Sequence, residues 1–252
     1  MSMIGTRVLR REDRALLTGD ARFVDDLCFA DGDGLADAHV VFVRSTEAHA
    51  ELGTVHVDEA GSAPGVIGVW TAETIGLSPI PPIAPFFPEA AARPVLAQGR
   101  IRFAGEAIAV VVAETVAQAH DAAELVWAET ELLPAVVGIA DARSSDVHVF
   151  PEVGSNVIAA RPAADEDDAL AGADVVVRRS IVNQRMSAAS IEPRVMAAAW
   201  SDGRLTVDAS TQGAFQIREA LCRVLDLDES AVRVRHADVG GGFGSKGGPL
   251  PE

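Results

Sequence analysis

Apolar residues along this chain change their spacing several times, and each change marks an element. Residues 38–44 (AHVVFVR) are dense in Val and Phe and read as a strand. Pro64-Gly65 signals a turn before a second strand at 66–70. Residues 103–113 (FAGEAIAVVVA) include the most apolar run and read as one continuous buried strand. Thr115, with Gln118 three residues on, forms a capping-box pattern that opens a helix. Val116, Ala119, Ala123 and Val126 then follow at helical spacing, one stripe able to pack back on a sheet, and Leu133-Pro134 ends the unit. Before it, Pro79, Pro81, Pro82, Pro85 and Pro88, with Pro94 directly after, deny the backbone donors and fix φ, so residues 77–93 form an irregular surface excursion.

Residues 142–170 shift to Ser, Asp, Ala and Pro, with an acidic run at 165–168, and read as a linker or crossing segment. Regular structure resumes with a strand at 173–182. Residues 195–200 and 204–209 flank Ser201-Asp202-Gly203, a hairpin signal. Ile217, Leu221, Val224 and Leu225 lie on one helical face, and Val232 and Val234 alternate with Arg233 and Arg235 in a last strand. The pattern predicts an α/β (α+β) protein: an extension at 1–14, a compact unit at 15–141, the linker at 142–170 and a second unit at 171–252.

Composition narrows the classes. Hydrophobic residues make up 48% of 252, enough for real cores. Thirty-seven acids against 21 Lys and Arg give a net charge of −16, which repels phosphate backbones and anionic lipid, so neither nucleic acid nor membrane is an expected partner. The basic, polar start carries no apolar signal core, and the apolar run at 107–113 is far too short to span a bilayer. Cys28 and Cys222 are too few for an iron–sulfur cluster, which takes four ligands, and read as reduced cysteines of a cytoplasmic protein. Cys222 sits beside the apolar helical face as packing. The six histidines show no metal-ligand spacing; His49 reads as a turn residue and His120 as a helix-surface residue.

The sharpest feature is the run Gly240-Gly241-Gly242-Phe243-Gly244-Ser245-Lys246 directly after a strand. Glycines there let the backbone approach a ligand, and successive N–H groups form a nest for anions or oxo groups. A phosphate-binding P-loop needs Gly immediately before Lys, where Ser245 stands. Gly242-x-Gly244-x-x-Gly247 matches a dinucleotide fingerprint formally, but Gly248-Pro249-Leu250-Pro251 follows instead of the required helix. A glycine-rich turn with no ligand is the remaining alternative.

Several further stretches carry a resemblance. Arg11-Glu12-Asp13, Leu16-Leu17-Thr18-Gly19 and Phe23-Val24-Asp25-Asp26-Leu27 resemble the opening segment of the molybdenum-hydroxylase large subunits, the xanthine dehydrogenase/aldehyde oxidase/carbon monoxide dehydrogenase family. Phe42-Val43-Arg44-Ser45 with Ala48-His49-Ala50, and Arg102-Phe103-Ala104-Gly105-Glu106-Ala107 through Ala122-Ala123-Glu124-Leu125-Val126, resemble its α/β hammerhead domain. Ile191-Glu192-Pro193-Arg194, Ser210-Thr211-Gln212 and Asp238-Val239 leading into the glycine run resemble the first stretch of its molybdenum-cofactor domain. The order and spacing of these pieces, across nearly the whole chain, are what make the resemblance specific.

The resemblance implies an oxidoreductase that hydroxylates an aldehyde, N-heterocycle or related small molecule with water as the oxygen source. It implies a molybdenum–molybdopterin cofactor approached by Gln212 and by the turn Gly241, Gly242, Phe243 and Gly244. An amide suits that place because its NH2 donates to an oxo group while its carbonyl accepts elsewhere, with no charge to bury. Glu192 is expected to orient the loop near the cofactor or to pair with an Arg. The family's glutamate base lies near the end of the full-length subunit, so no catalytic residue and no metal ligand is assigned here, and residues 1–252 alone are expected to be inactive. Implied partners are iron–sulfur and FAD subunits, or a separate carboxy-terminal chain. Purine-oxidising members carry a carboxylate directly after the motif's Lys; Gly247 stands there, which leans away from xanthine. The alternative is a non-catalytic assembly or docking module, or one half of a split subunit.

Overall fold

The structure, a computed structural model, describes residues 4, 5, 7, 9–27, 38–82, 86–160 and 170–251. Cys28, Pro85 and the acidic run at 165–168 lie outside the described residues. Strand β1 (His39–Arg44) and strand β3 (Val66–Thr71) both pair antiparallel with strand β5 (Ala107–Ala113), in the order β1-β5-β3. The central place of β5 explains its unbroken apolar run, because both of its faces are covered. Ala109 and Val111 meet Ala60, Ala122 and Val126 on one side, and Val110 meets Leu96, Phe42 and Trp70 on the other.

Helix Val116–Ala123 lies against this sheet, and Thr115 caps it by accepting the Gln118 N–H at 3.3 Å. The helix stops at Ala123, before Val126, because Trp127 already joins strand β6 (Trp127–Leu132). A second sheet runs β4-β2-β6, with β2 at Ala50–His56 and β4 at Arg100–Ile101. Replacing Val111, which is fully buried, by alanine is expected to cost about 2–3 kcal/mol through the cavity it leaves, measured by urea unfolding. A cost under about 0.5 kcal/mol would show that this layer is not the core.

One expectation needs correction in this unit. The strand expected from 103 begins only at Ala107, because Gly105 takes φ 95° and turns the chain. Glu106 fixes that turn by accepting Arg102 N at 2.6 Å and Arg102 Nη1 at 3.2 Å. Burial holds the Glu106 carboxyl above its ordinary value although Arg102 pulls it down. His49 lies in the bend before β2, as expected, and is buried there, its Nδ1 2.8 Å from the Pro134 carbonyl.

The second unit holds strands β7 (Met196–Ser201), β8 (Arg204–Ala209) and β9 (Val232–Arg235), in the order β7-β8-β9. β7 and β8 form the expected hairpin, with positive φ at both Asp202 and Gly203 as its tight turn demands. β8 and β9 are parallel, joined through helix Ala214–Leu225, and together make a β–α–β crossover. Leu205, Val207, Ala209 and Val232 are buried beneath Leu221, Cys222 and Leu225 of that helix, so Cys222 is packing, as expected. Arg22 exchanges two 2.9 Å hydrogen bonds with Asp238, tying the start of the chain to this unit. The strand expected at 173–182 does not form: Val175, Val177, Ile181 and Val182 are exposed, and no neighbouring strand among the described residues takes their backbone groups.

Candidate functional site

Because β8 and β9 are parallel, their carboxyl ends lie side by side, which is where open α/β sheets place ligands. The loop after β8 carries Ser210, Thr211 and Gln212, and the chain after β9 becomes the glycine turn. Below them Asp208 and Arg235, partners in the register, form a two-pronged ion pair, with Arg235 Nε donating to Asp208 Oδ1 at 3.0 Å.

The two loops are stitched together. Gln212 N and Thr211 Oγ1 both donate to the Lys246 carbonyl, at 2.9 and 3.3 Å. Gly244 N donates to Gln212 Oε1 at 3.0 Å, which settles the amide's orientation and leaves its NH2 free to donate. Ser245 closes the turn, its N and Oγ both donating to the Gly242 carbonyl at 2.9 and 2.8 Å. The N–H groups of Gly241, Gly242 and Phe243 have no acceptor among the described residues.

Glycine is required here for space as well as for conformation. Gly241 and Gly244 take φ 98° and 92°. A Cβ on Gly242 would lie 2.6 Å from Gln212 Oε1, and one on Gly240 would lie 2.4 Å from Glu192 Cβ. Phe243 takes φ 49°, uncommon for a bulky residue, and its side chain is 77% exposed rather than part of the core.

Beneath the turn lies a charge network. Lys246 has no exposed side-chain surface and donates to Glu192 Oε2 at 2.9 Å and to Ser210 Oγ at 2.7 Å. Ser210 Oγ donates to the same carboxylate oxygen at 2.5 Å, and Gly240 N at 2.8 Å. Burial raises the Glu192 carboxyl, but the donors Ser210, Lys246 and Gly240 outweigh it and hold the group below its ordinary value. Glu192 Oε1 is buried with no partner among the described residues.

Gln212, Gly241, Gly242, Phe243 and Gly244, all expected from the sequence, thus come together in one place. Glu192 also belongs here, but its partner is Lys246 and not an arginine. Sequence reasoning missed Ser210 and Lys246 as its partners; the only local signal was a lone lysine closing a neutral glycine turn. No group of three His, Cys, Asp or Glu among the described residues is placed to hold a metal ion. No helix among them is long and apolar enough to cross a membrane. The free N–H groups, the free amide NH2 and the cradle at Gly242, which a methyl would fill, fit an anionic or oxo-bearing group.

Comparison with known proteins agrees with this architecture. Residues 18–134 match the model of the aldehyde oxidase and xanthine dehydrogenase a/b hammerhead domain, and residues 149–252 that of the molybdopterin cofactor-binding domain. The chain is 35% identical to the 6-hydroxypseudooxynicotine dehydrogenase complex subunit gamma of Paenarthrobacter nicotinovorans, over 99% of its own length and 32% of that protein. It is also 35% identical to the nicotine 6-hydroxylase large subunit of the same organism, over 100% of its own length and 31% of that protein. Among solved structures, quinoline 2-oxidoreductase from Pseudomonas putida 86 superposes with a TM-score of 0.81 at 36% identity, covering 97% of this chain and 31% of that one. The chain therefore spans about a third of the length of these relatives. Two family models in the family's order, and relatives aligned over nearly every residue, show that this chain belongs to the molybdenum-hydroxylase large-subunit family.

Proposed function

We propose that this chain is part of a molybdenum-hydroxylase large subunit that oxidatively hydroxylates an N-heteroaromatic compound, with water as the oxygen source. The observation that carries the reading is the Gln212 amide, oriented by Gly244 N–H beside the unpaired N–H groups of Gly241, Gly242 and Phe243. These groups would hold the oxygen-bearing face of a molybdenum–molybdopterin cofactor. The cofactor, when bound, supplies the two-electron oxidation. Gln212 Nε2 donates a hydrogen bond without burying a charge, and Phe243 offers an aromatic face to a planar substrate. Two things support the N-heteroaromatic class: relatives named for nicotine and quinoline, and Gly247 where purine-oxidising members carry a carboxylate.

The test uses the protein as it occurs in its source cell, captured with an antibody against residues 1–252. Stoichiometric molybdenum and dye-linked oxidation of quinoline or nicotine are expected. A capture free of molybdenum and pterin overturns the reading, and turnover of aldehydes alone moves the substrate class. In that complex Gln212→Ala is expected to lower turnover about tenfold, the loss of one charge-assisted hydrogen bond, with an unchanged melting temperature because Gln212 is exposed. Full activity removes Gln212 from the site.

One observation favours a second reading, in which the chain is half of a split subunit or a docking module working through partner chains such as iron–sulfur and FAD subunits. Val175, Val177, Ile181 and Val182 are 79%, 71%, 88% and 82% exposed, a β-branched run uncovered on both faces. An immunoblot separates the two: a band several-fold larger than 26.3 kDa supports one continuous subunit, and a band at that size supports the split.

A further inference from the structure

We propose that Lys246 is a positioning residue that fixes both walls of the candidate site in the register in which the Gln212 amide and the N–H groups of the glycine turn face one ligand. The inference rests on the molybdenum-hydroxylase reading for what the ligand is, and on geometry alone for what Lys246 does. The side chain and the main chain of this residue both reach the loop after β8, and the side chain also reaches Glu192, which holds the glycine turn. Its ammonium, wholly buried, reaches Glu192 and Ser210, and Glu192 in turn takes the Gly240 N–H, the first amide of the turn. Its carbonyl receives Gln212 N and Thr211 Oγ1, so the loop after β8 hangs from the same residue. Thr211 Oγ1 then receives Gly213 N at 3.0 Å, which extends the hold to the start of helix Ala214–Leu225.

Packing alone does not account for a lysine at this place. Desolvating an ammonium and a carboxylate costs about as much as their attraction returns, and an apolar residue of similar volume serves a core as well or better. What the ion pair adds is direction. Three donors, the Lys246 ammonium, the Ser210 hydroxyl and the Gly240 amide, converge on the single oxygen Glu192 Oε2. Sliding the turn by one residue breaks the Lys246 and Gly240 contacts together. Ser210 joins the two charges and leads directly into Thr211 and Gln212, so a displaced lysine displaces the amide two residues on. Lys246 touches no candidate ligand position itself; it acts through Gln212 and Gly244.

The experiment is residue-resolved amide hydrogen exchange and side-chain amide NMR on the full 252-residue chain, wild type against Lys246→Met. Exchange at Gln212, Gly240, Gly244 and Ser245 is expected to accelerate about tenfold or more, while Val207 and Val232 keep their protection. The Gln212 side-chain NH2 signal is expected to move to the position of a free glutamine. Unchanged exchange in the turn, or equal acceleration throughout β8 and β9, overturns the proposal in favour of an ordinary packing ion pair. Should Lys246→Met fail to fold, Ser210→Ala removes one hydroxyl from the network and is read the same way, with no change at Gln212 again overturning it. Molybdenum content of the captured wild-type complex is measured separately. Its absence overturns the functional reading and leaves the exchange result to decide Lys246.

Discussion

Gly242→Ala is expected to lower turnover of the assembled enzyme by about a hundredfold or more while shifting its unfolding midpoint very little. The two effects separate because of what the new methyl meets. An alanine Cβ at 242 would lie 2.6, 2.7 and 2.9 Å from Oε1, Cδ and Cγ of Gln212, so its three nearest neighbours all belong to one side chain. Gln212 is an exposed, flexible side chain, so it swings aside at small cost, and the fold tolerates the change. The amide then leaves Gly244 N–H, the methyl occupies the cradle, and the free N–H groups are capped by carbon. A displacement of about 1 Å at a positioning group is enough for a loss of that size. Steady-state turnover and urea unfolding on the same preparation check both halves, and turnover within about threefold of wild type would mean that no ligand approaches Gly242.

Much of this arrangement is legible before any coordinates. The apolar runs at 38–44 and 66–70, the Thr115 cap, the Asp202-Gly203 hairpin and the helix stripe Ile217, Leu221, Val224 and Leu225 each state their structure locally. Each depends on contacts within a turn or two. Strands β2 and β6 were not legible. Gly53 and a bulge between Leu52 and Val55 interrupt the first, and the second carries Glu129 and Glu131 on a solvated edge, so neither shows a clean period of two. The run at 173–182 failed the other way. Its residues prefer a strand, but a strand needs a neighbour to take its backbone groups, and none of the described residues provides one.

The candidate site divides along the same line. Its wall was readable because Gly240 to Gly244 declare a close backbone approach by composition alone, and because Ser210-Thr211-Gln212 sits where the family resemblance puts it. The support behind the wall was not readable. Glu192, Ser210 and Lys246 are separated by 18 and 36 residues, and no periodicity links them. The antiparallel pairing of β7 with β8 sets Glu192 beside Ser210, and the parallel pairing of β8 with β9 brings the Lys246 turn to both; parallel pairing is a property of the crossover, not of either strand. The sequence also gave no sign that a lysine in a glycine-rich, outwardly polar turn would be wholly buried.

That burial sets the second large expectation: Glu192→Ala should destabilise the chain by about 3–5 kcal/mol near neutral pH. Removing the carboxylate leaves the Lys246 ammonium without a counter-charge in a place with no exposed surface, and takes the acceptor from Ser210 Oγ and Gly240 N. The difference depends on pH in one direction. Burial favours the neutral acid, but Ser210, Lys246 and Gly240 favour the anion more, so the folded carboxyl titrates below the ordinary 4.5. A depressed folded value means that the stabilisation is fully present above the unfolded value and is lost as pH falls through the folded one. Wild type and Glu192→Ala should therefore differ most above about pH 5 and converge on acidification below 4.5, as protonation removes from the wild type what the substitution removes from the variant. Urea unfolding across that range measures it. The double variant Glu192→Leu with Lys246→Met, which removes both charges and keeps the volume, should recover most of the stability without recovering the fixed Gln212 amide. A gap that stays constant with pH, or a double variant as unstable as Glu192→Ala, would mean that the network is held by packing and not by charge.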